Sequence, residues 1–195
     1  MSPLEISAAV FGAVSVYLSA KENIWSWPTA IINVGLYAIV FYQSRLYADM
    51  GLQVVYLTLS LYGWYNWLHG GEQHMVLHVS RAAPRTLAVL ALLVVAGAIA
   101  LGTTLNTRTN AALPFLDSAL VATSLAAQWL MTRKVLENWL LWIAVDVVYV
   151  PMFISRGLIA TAVLYAVFLV LAVLGYTSWR RSYLQRRPTG QLVTA

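Results

Sequence analysis

Seven stretches of this chain, each 15 to 24 residues long, hold at most one charged side chain, and they constrain its fold more than any other feature. Five of them, residues 6–20, 23–44, 50–71, 86–107 and 157–179, contain no Asp, Glu, Lys or Arg. Two more qualify with one acid each: 109–132 with Asp117, and 138–155 with Asp146. A helix needs about 20 residues to cross the hydrocarbon of a bilayer, so the spacing predicts seven transmembrane helices. The first run is the shortest, but it can extend past its flanking charges. It has no basic segment ahead of it, so it reads as a retained helix rather than a signal peptide. Charged residues make up 10% of the chain, against about 25% in a soluble domain, too few to keep it dissolved in water. With no cysteine, a disulfide framework, a Cys-ligated zinc site and thiol chemistry are excluded. The basic residues form no aromatic-interleaved patch, which argues against a nucleic-acid partner; the expected surroundings are lipid.

Lys and Arg positions orient the spans. One side of the membrane receives Arg45, Arg108 and Arg156; the other receives Lys21, Arg81, Arg85, Arg133, Lys134, Arg180, Arg181, Arg186 and Arg187. Because basic residues concentrate on the cytoplasmic face, a bias of nine to three places the N-terminus outside and the C-terminus in the cytoplasm. The segment 181–195, rich in Arg and poor in apolar residues, reads as a basic cytoplasmic tail.

The chain also repeats itself. Glu22-Asn23 opens a helix with Trp25, Trp27, Asn33 and Tyr37 that Ser44-Arg45 closes, and Gly63 and Trp67 lie in the next. Glu137-Asn138 opens a second with Trp139, Trp142, Asp146 and Tyr149 that Ser155-Arg156 closes, and Gly175 and Trp179 follow. Offsets are 113 for Asn33 to Asp146, 111 for Arg45 to Arg156 and 112 for Trp67 to Trp179. Equivalent helices are four spans apart, an even number, so both halves cross the membrane in the same direction. The expected fold is an all-α integral membrane protein of seven helices in a 3+1+3 parallel repeat, the SWEET-like arrangement. Its parts are a first three-helix bundle over 1–71, a loop and linker helix over 72–108, a second bundle over 109–180, and the tail.

Helical spacing gathers polar residues into stripes. On helix 2, Trp25, Thr29, Asn33 and Tyr37 follow at i+4; on helix 6, Asn138, Trp142, Asp146 and Tyr149 repeat the pattern with a final i+3 step. Helix 3 aligns Gln53, Tyr56, Ser60, Gly63 and Trp67, and helix 5 carries Asp117, Ser124 and Gln128. Unsatisfied polar groups facing lipid cost several kcal/mol, so the stripes should converge on a shared interior. Two plainer roles compete with a binding site. Asn, Ser and Gln can glue helices at roughly 0.6–2 kcal/mol per bond, and Trp residues near span ends can form interfacial belts. Asp146 fits these roles least, since an acid at helix centre costs about 2.5–3.5 kcal/mol on insertion scales.

No Lys, Arg or His lies at midplane, so nothing there would neutralise a phosphate or a carboxylate. Aromatic faces beside one carboxylate suit a flat cation through stacking, cation–π attraction and ion pairing. Asn33, Gln53, Gln128 and Asn138 offer hydrogen bonds to ribose-like hydroxyls. The expected ligand class is a small, flat, neutral-to-cationic, hydroxylated solute.

The runs ENIWSWPTAIIN, SLAAQ and ENWLLWIAVD, in a span covering residues 23–181, resemble the PnuC family of bacterial vitamin transporters. The resemblance implies facilitated diffusion of nicotinamide riboside across the inner membrane, with trapping by a separate cytoplasmic kinase. It also implies substrate contacts by Trp25, Trp27, Asn33, Ser124, Gln128, Asn138, Trp139, Trp142 and Asp146. To these the stripes add Tyr37, Gln53, Tyr56, Ser60 and Tyr149. Related branches carry thiamine or other nucleoside-like vitamins, and thiamine too is a flat cation.

Three alternatives differ in class. Proton coupling would use Asp146 or Asp117 as carrier, though neither has a second acid or a His within an i+4 step. An intramembrane aspartate protease would need Asp117 and Asp146 to meet, yet the first lies near the outer surface, beside Pro114, where it could cap its helix. A scaffold or receptor would bind without uptake. His69, His74 and His78 are spaced for a metal site, but a solvated loop accounts for them, and no metal or cofactor is expected. The sequence leaves homo-oligomerisation open.

Overall fold

The computed structural model describes residues 3–43, 45, 47–108 and 113–186. Within them seven α-helices follow one another: α1 Pro3–Ala20, α2 Ser26–Gln43, α3 Tyr47–His69, α4 Pro84–Arg108, α5 Pro114–Thr132, α6 Asn138–Ser155 and α7 Ile159–Gln185. The charge-free runs set these elements because backbone groups in lipid must be satisfied inside the helix itself. By length and composition alone α1, α4, α6 and α7 suffice to cross a membrane. The other three helices, α2, α3 and α5, carry much of the polar lining described below, which lowers their hydropathy. Ser44, the residues 109–112 that open the fifth run, and Arg187 with the rest of the tail lie outside the described residues.

Two boundaries differ from the sequence reading. The fifth helix begins at Pro114, which occupies its first turn behind the N-cap Leu113; Pro suits that position because its missing N–H has no helical partner there. Asp117 is therefore a first-turn residue and not the cap. The seventh helix runs past Trp179 through Arg180 and Arg181 to Gln185. A charge ends a stretch that can face lipid, but Arg is a good helix former, so the helix outlasts the hydrophobic run.

The packing obeys a pseudo-twofold axis. Helix α1 packs on α2 and α2 on α3, α5 on α6 and α6 on α7; between the halves, α1 meets α7 and α5 meets α3. The linker α4 packs chiefly on α5 and stays peripheral. Detailed contacts repeat at a constant offset of 112. Trp27 lies against Gly63, and Trp139 lies against Gly175, where a Cβ would fall 2.6 Å from the indole. Trp67 Nε1 donates to the Met131 carbonyl at 3.0 Å, and Trp179 Nε1 donates to the Ser19 carbonyl at 2.9 Å, each reaching into the opposite half. Lys21 sits over the Tyr17 ring, and Arg133 over the Trp129 ring.

The turns are equivalent as well. Asn23 N–H bonds Leu18 O and Glu22 N–H bonds Ser19 O; Val135 N–H bonds Leu130 O and Lys134 N–H bonds Met131 O. These are Schellman closures, in which the C′ residue turns left-handed and is ordinarily glycine. Here the C′ residues are Glu22 (φ 56°) and Lys134 (φ 53°), and placing a side chain in that region costs about 1–2 kcal/mol.

The constant offset corrects the register of the repeat at two places. Arg45 (φ 58°) matches Gly157 (φ 74°), both left-handed after their helices, and not Arg156. Asn33 matches Val145, while Asp146 matches Val34. Sequence similarity had aligned the polar residues with each other, but they sit one position apart on equivalent helices.

Candidate functional site

A cavity of about 370 Å³ lies between the two halves, within the usual size of small-molecule sites. Its walls obey the repeat. Every lining residue from the second half, from Val121 to Ala172, stands 112 positions after a lining residue of the first half. Tyr37 faces Tyr149 in this correspondence, Trp27 faces Trp139, and Ala30 faces Trp142. The cavity therefore surrounds the pseudo-twofold axis.

Twelve of the fourteen residues that the sequence singles out line it: Trp27, Asn33, Tyr37, Gln53, Tyr56, Ser60, Ser124, Gln128, Trp139, Trp142, Asp146 and Tyr149. Trp25 and Asn138 do not. Trp25 is 66% exposed in the turn before α2, so the i+4 phase of the helix does not extend to it. Asn138 is fully buried, and its Nδ2 donates to the Val135 carbonyl at 2.6 Å, within its own turn. Neither Asp117 nor any of the three histidines lines the cavity. Among the described residues no cluster of His, Cys, Asp or Glu is arranged to hold a metal.

Some polar lining is engaged in holding helices together. Asn33 Nδ2 donates to the Ala8 carbonyl of α1 at 2.6 Å, and Gly12 lies so close that a Cβ there would fall 2.9 Å from this nitrogen. Tyr56 of α3 and Ser124 of α5 lie beside each other on the cavity wall. The equivalent contact in the other half is Phe168 against Gly12, the same approach with the hydroxyls removed.

Asp146 is 3% exposed on α6. No Lys or Arg lines the cavity, so none stands there to neutralise it. Around it Tyr149 stacks on Phe153 with ring centroids 5.3 Å apart and meets Tyr165 at 4.9 Å, and Tyr165 meets Phe168 at 5.7 Å. This aromatic wall offers π-faces beside a carboxylate. It includes Tyr165 and Phe168 of α7, which the stripes missed. The repeat carried the signal, since these residues match Gln53 and Tyr56, both already selected.

One end of the cavity closes on a tryptophan layer. Trp27 and Trp67 meet edge-to-face at 5.3 Å, Trp67 and Trp179 at 5.7 Å, and Trp139 and Trp179 edge-to-face at 5.4 Å. Such pairs contribute about 0.5–1.5 kcal/mol each beyond their burial. These rings are buried in the core and form no interfacial belt. Beyond the layer, Lys134 Nζ pairs with Glu22 Oε2 at 2.9 Å, donates to the Leu77 carbonyl at 3.2 Å and lies 4.7 Å over the Trp67 ring. Burial pulls the Lys134 ammonium below its ordinary pKa, while Glu22 works to raise it. At the opposite end the lining reaches Phe41 and the exposed Asp49.

The chain matches the family described as nicotinamide mononucleotide transporter over residues 2–181. It is 30% identical to the nicotinamide riboside transporter PnuC of Escherichia coli (strain K12), over 95% of this chain and 88% of that protein. Identity is also 30% to the PnuC of Neisseria mucosa, over 94% and 73%. To the riboflavin/roseoflavin transporter RibM of Streptomyces davaonensis it is 25%, over 92% and 85%. The crystal structure of a vitamin B3 transporter PnuC superposes with a TM-score of 0.72 and 27% identity, covering 93% of this chain and 82% of that one. With seven helices in a doubled three-helix arrangement around an aromatic cavity, this chain belongs to the PnuC family of membrane vitamin transporters.

Proposed function

We propose that the protein is a uniporter for nicotinamide riboside, or for a vitamin of the same flat, cationic, hydroxylated class. The observation that carries this is the buried Asp146 in an aromatic cavity that no basic side chain lines. A pyridinium ring gains from π-faces and from a carboxylate with no competing cation. In this reading Trp139, Trp142, Tyr149 and Asp146 receive the ring, while Asn33, Gln53, Ser60, Ser124 and Gln128 receive the ribose, with Tyr37 and Tyr56 closing the walls. A 5′-phosphate finds no guanidinium or ammonium there, so the mononucleotide is refused even though it gives the family its description.

The two bundles, 1–71 and 109–180, rock about the axis while 72–108 joins them. The N-terminus lies outside the inner membrane and the C-terminus in the cytoplasm, following the nine-to-three bias of basic residues. Net uptake is then drawn by phosphorylation of the product by a cytoplasmic kinase, and the protein itself performs no chemical step.

The test combines calorimetry of nicotinamide riboside, thiamine, riboflavin and nicotinamide mononucleotide with uptake into proteoliposomes. Uptake should be indifferent to an imposed pH gradient; a rate that follows the gradient would favour proton coupling through Asp146. Transport of the mononucleotide at a comparable rate would overturn the reading of the cavity.

A further inference from the structure

When a residue touches its own repeat counterpart, the pseudo-twofold axis passes between them. Two such contacts are present beyond the cavity: Trp67 with Trp179, and Glu22 with Lys134. The axis thus runs through the cavity, between two indoles, and then through an ion pair at the end where the turns α1–α2 and α5–α6 meet. A solute leaving the cavity along the axis at this end must pass both. We propose that Glu22 and Lys134 are the latch of the gate at this end of the pathway, joined in the state described here and separated when the two halves part; this rests on the transporter reading above.

Three observations support a latch that works by separation. Both residues occupy the left-handed C′ position of their turns, where glycine would be the unstrained choice. Strained positions of this kind persist where the surroundings over-determine them and cluster at switch regions. The side chains are withdrawn from solvent, Lys134 at 5% and Glu22 at 18% exposure, so the pair resists breaking in place, where a buried charge would be left unpaired, and comes apart only with a parting of the halves that returns both charges to water. The third observation concerns the layer beneath. Ser26 Oγ, Trp27 Nε1, Asn138 Oδ1 and Trp139 Nε1 are buried without a hydrogen-bond partner. They are two counterpart pairs, Ser26 with Asn138 and Trp27 with Trp139. The same positions thus lack a protein partner in both halves, and Ser26, Trp27 and Trp139 among them line the cavity that the layer closes. Closure is held by ring packing, the two crossing indole bonds and the latch.

The chain contains no cysteine, so a single thiol can report access. Val16 lines the cavity and packs against the tryptophan layer, and Val16→Cys is close to isosteric. In proteoliposomes, its reaction with a charged, membrane-impermeant thiosulfonate is measured from the Lys134 face in the parent, Glu22→Gln, Lys134→Gln and the exchanged pair Glu22→Lys with Lys134→Glu. Binding of nicotinamide riboside in detergent, within threefold of the parent, reports that each variant is folded. Either single variant should react at least tenfold faster, and the exchanged pair should return most of the way to the parent rate. Unchanged rates in both single variants, or an exchanged pair as fast as either, would overturn the latch. Accelerated reaction in a chain that takes up no vitamin would instead remove the transporter reading and leave the latch standing.

Discussion

Asp146→Asn separates a carboxylate that binds a cation from one that merely packs. The substitution keeps the shape, removes the charge and exchanges one acceptor oxygen for an NH2 donor. A ligand cation 4–6 Å from that charge, at an effective dielectric of about 20, gains about 4 to 3 kcal/mol. With about 1.4 kcal/mol per tenfold, affinity for nicotinamide riboside should fall roughly 100- to 1000-fold. The reduced, dihydropyridine form of the same nucleoside has nearly the same outline and no charge, so its affinity should move by less than about threefold. Calorimetry on detergent-solubilised protein with both ligands reads the difference directly. Melting temperature should not fall, because the change removes a buried charge that has no ion-pair partner among the described residues. Equal losses for the charged and neutral nucleosides would refute the reasoning and return Asp146 to helix packing.

Other substitutions test the frame around it. Gly175→Ala forces a methyl to within 2.6 Å of the Trp139 indole and should destabilise by about 1–3 kcal/mol; Gly63→Ala, its counterpart against Trp27, should lower thermal stability by a similar amount. Trp179→Phe keeps a ring in the layer but removes the indole bond to the Ser19 carbonyl, which Glu22 N–H still serves, a loss of about 0.5–1.5 kcal/mol that a denaturation series would show, with Trp67→Phe as the matching change. Trp25→Ala, in an exposed turn residue outside the cavity, should alter ligand affinity less than twofold, and a larger drop would bring Trp25 back into the site.

The cavity was legible where lipid made it so. A polar side chain at midplane has nowhere to go but inward, and that rule alone gathered Asn33, Gln53, Ser60, Ser124, Gln128 and Asp146. It failed for Tyr165 and Phe168, because an aromatic ring on α7 fits lipid as well as it fits a pocket. It failed for Trp25 and Asn138 at helix starts, where helical phase has no hold on the chain. The tryptophans were ambiguous for a related reason: a Trp near a span end suits the membrane interface unless its Nε1 finds a partner, and the partners of Trp67 and Trp179 are carbonyls more than 60 residues away. By sequence Lys134 reads as a loop charge that orients the protein. Its pairing with Glu22 depends on how two bundles dock, which no local pattern encodes.

The corrected register alters the meaning of the acid. Had Asp146 matched Asn33, the repeat would have placed related polar groups opposite one another around the axis. Instead Asp146 matches Val34 and Asn33 matches Val145, so neither polar group has a polar counterpart. The same holds at other wall positions: Ser124 against Gly12, Gln128 against Val16, Ser60 against Ala172. A symmetric frame suits the moving parts, because two like halves can rock about one axis with equivalent contacts at their gates. A symmetric lining would not suit a ligand with a cationic ring at one end and a hydroxylated sugar at the other, since each half would compete for the same end. The two functions fall on different residues. Those at constant offset with repeated contacts, such as Trp27 with Gly63 and Trp139 with Gly175, build the frame, and in the proposed reading those where the halves disagree would give the ligand its direction. On this division, Val34→Asp should weaken a cationic nucleoside's orientation without destroying the cavity: binding in two competing poses, detectable as broadened or doubled ligand resonances by NMR, is the expected result. A single unchanged pose would show that ring contacts, and not the lone carboxylate, set the direction.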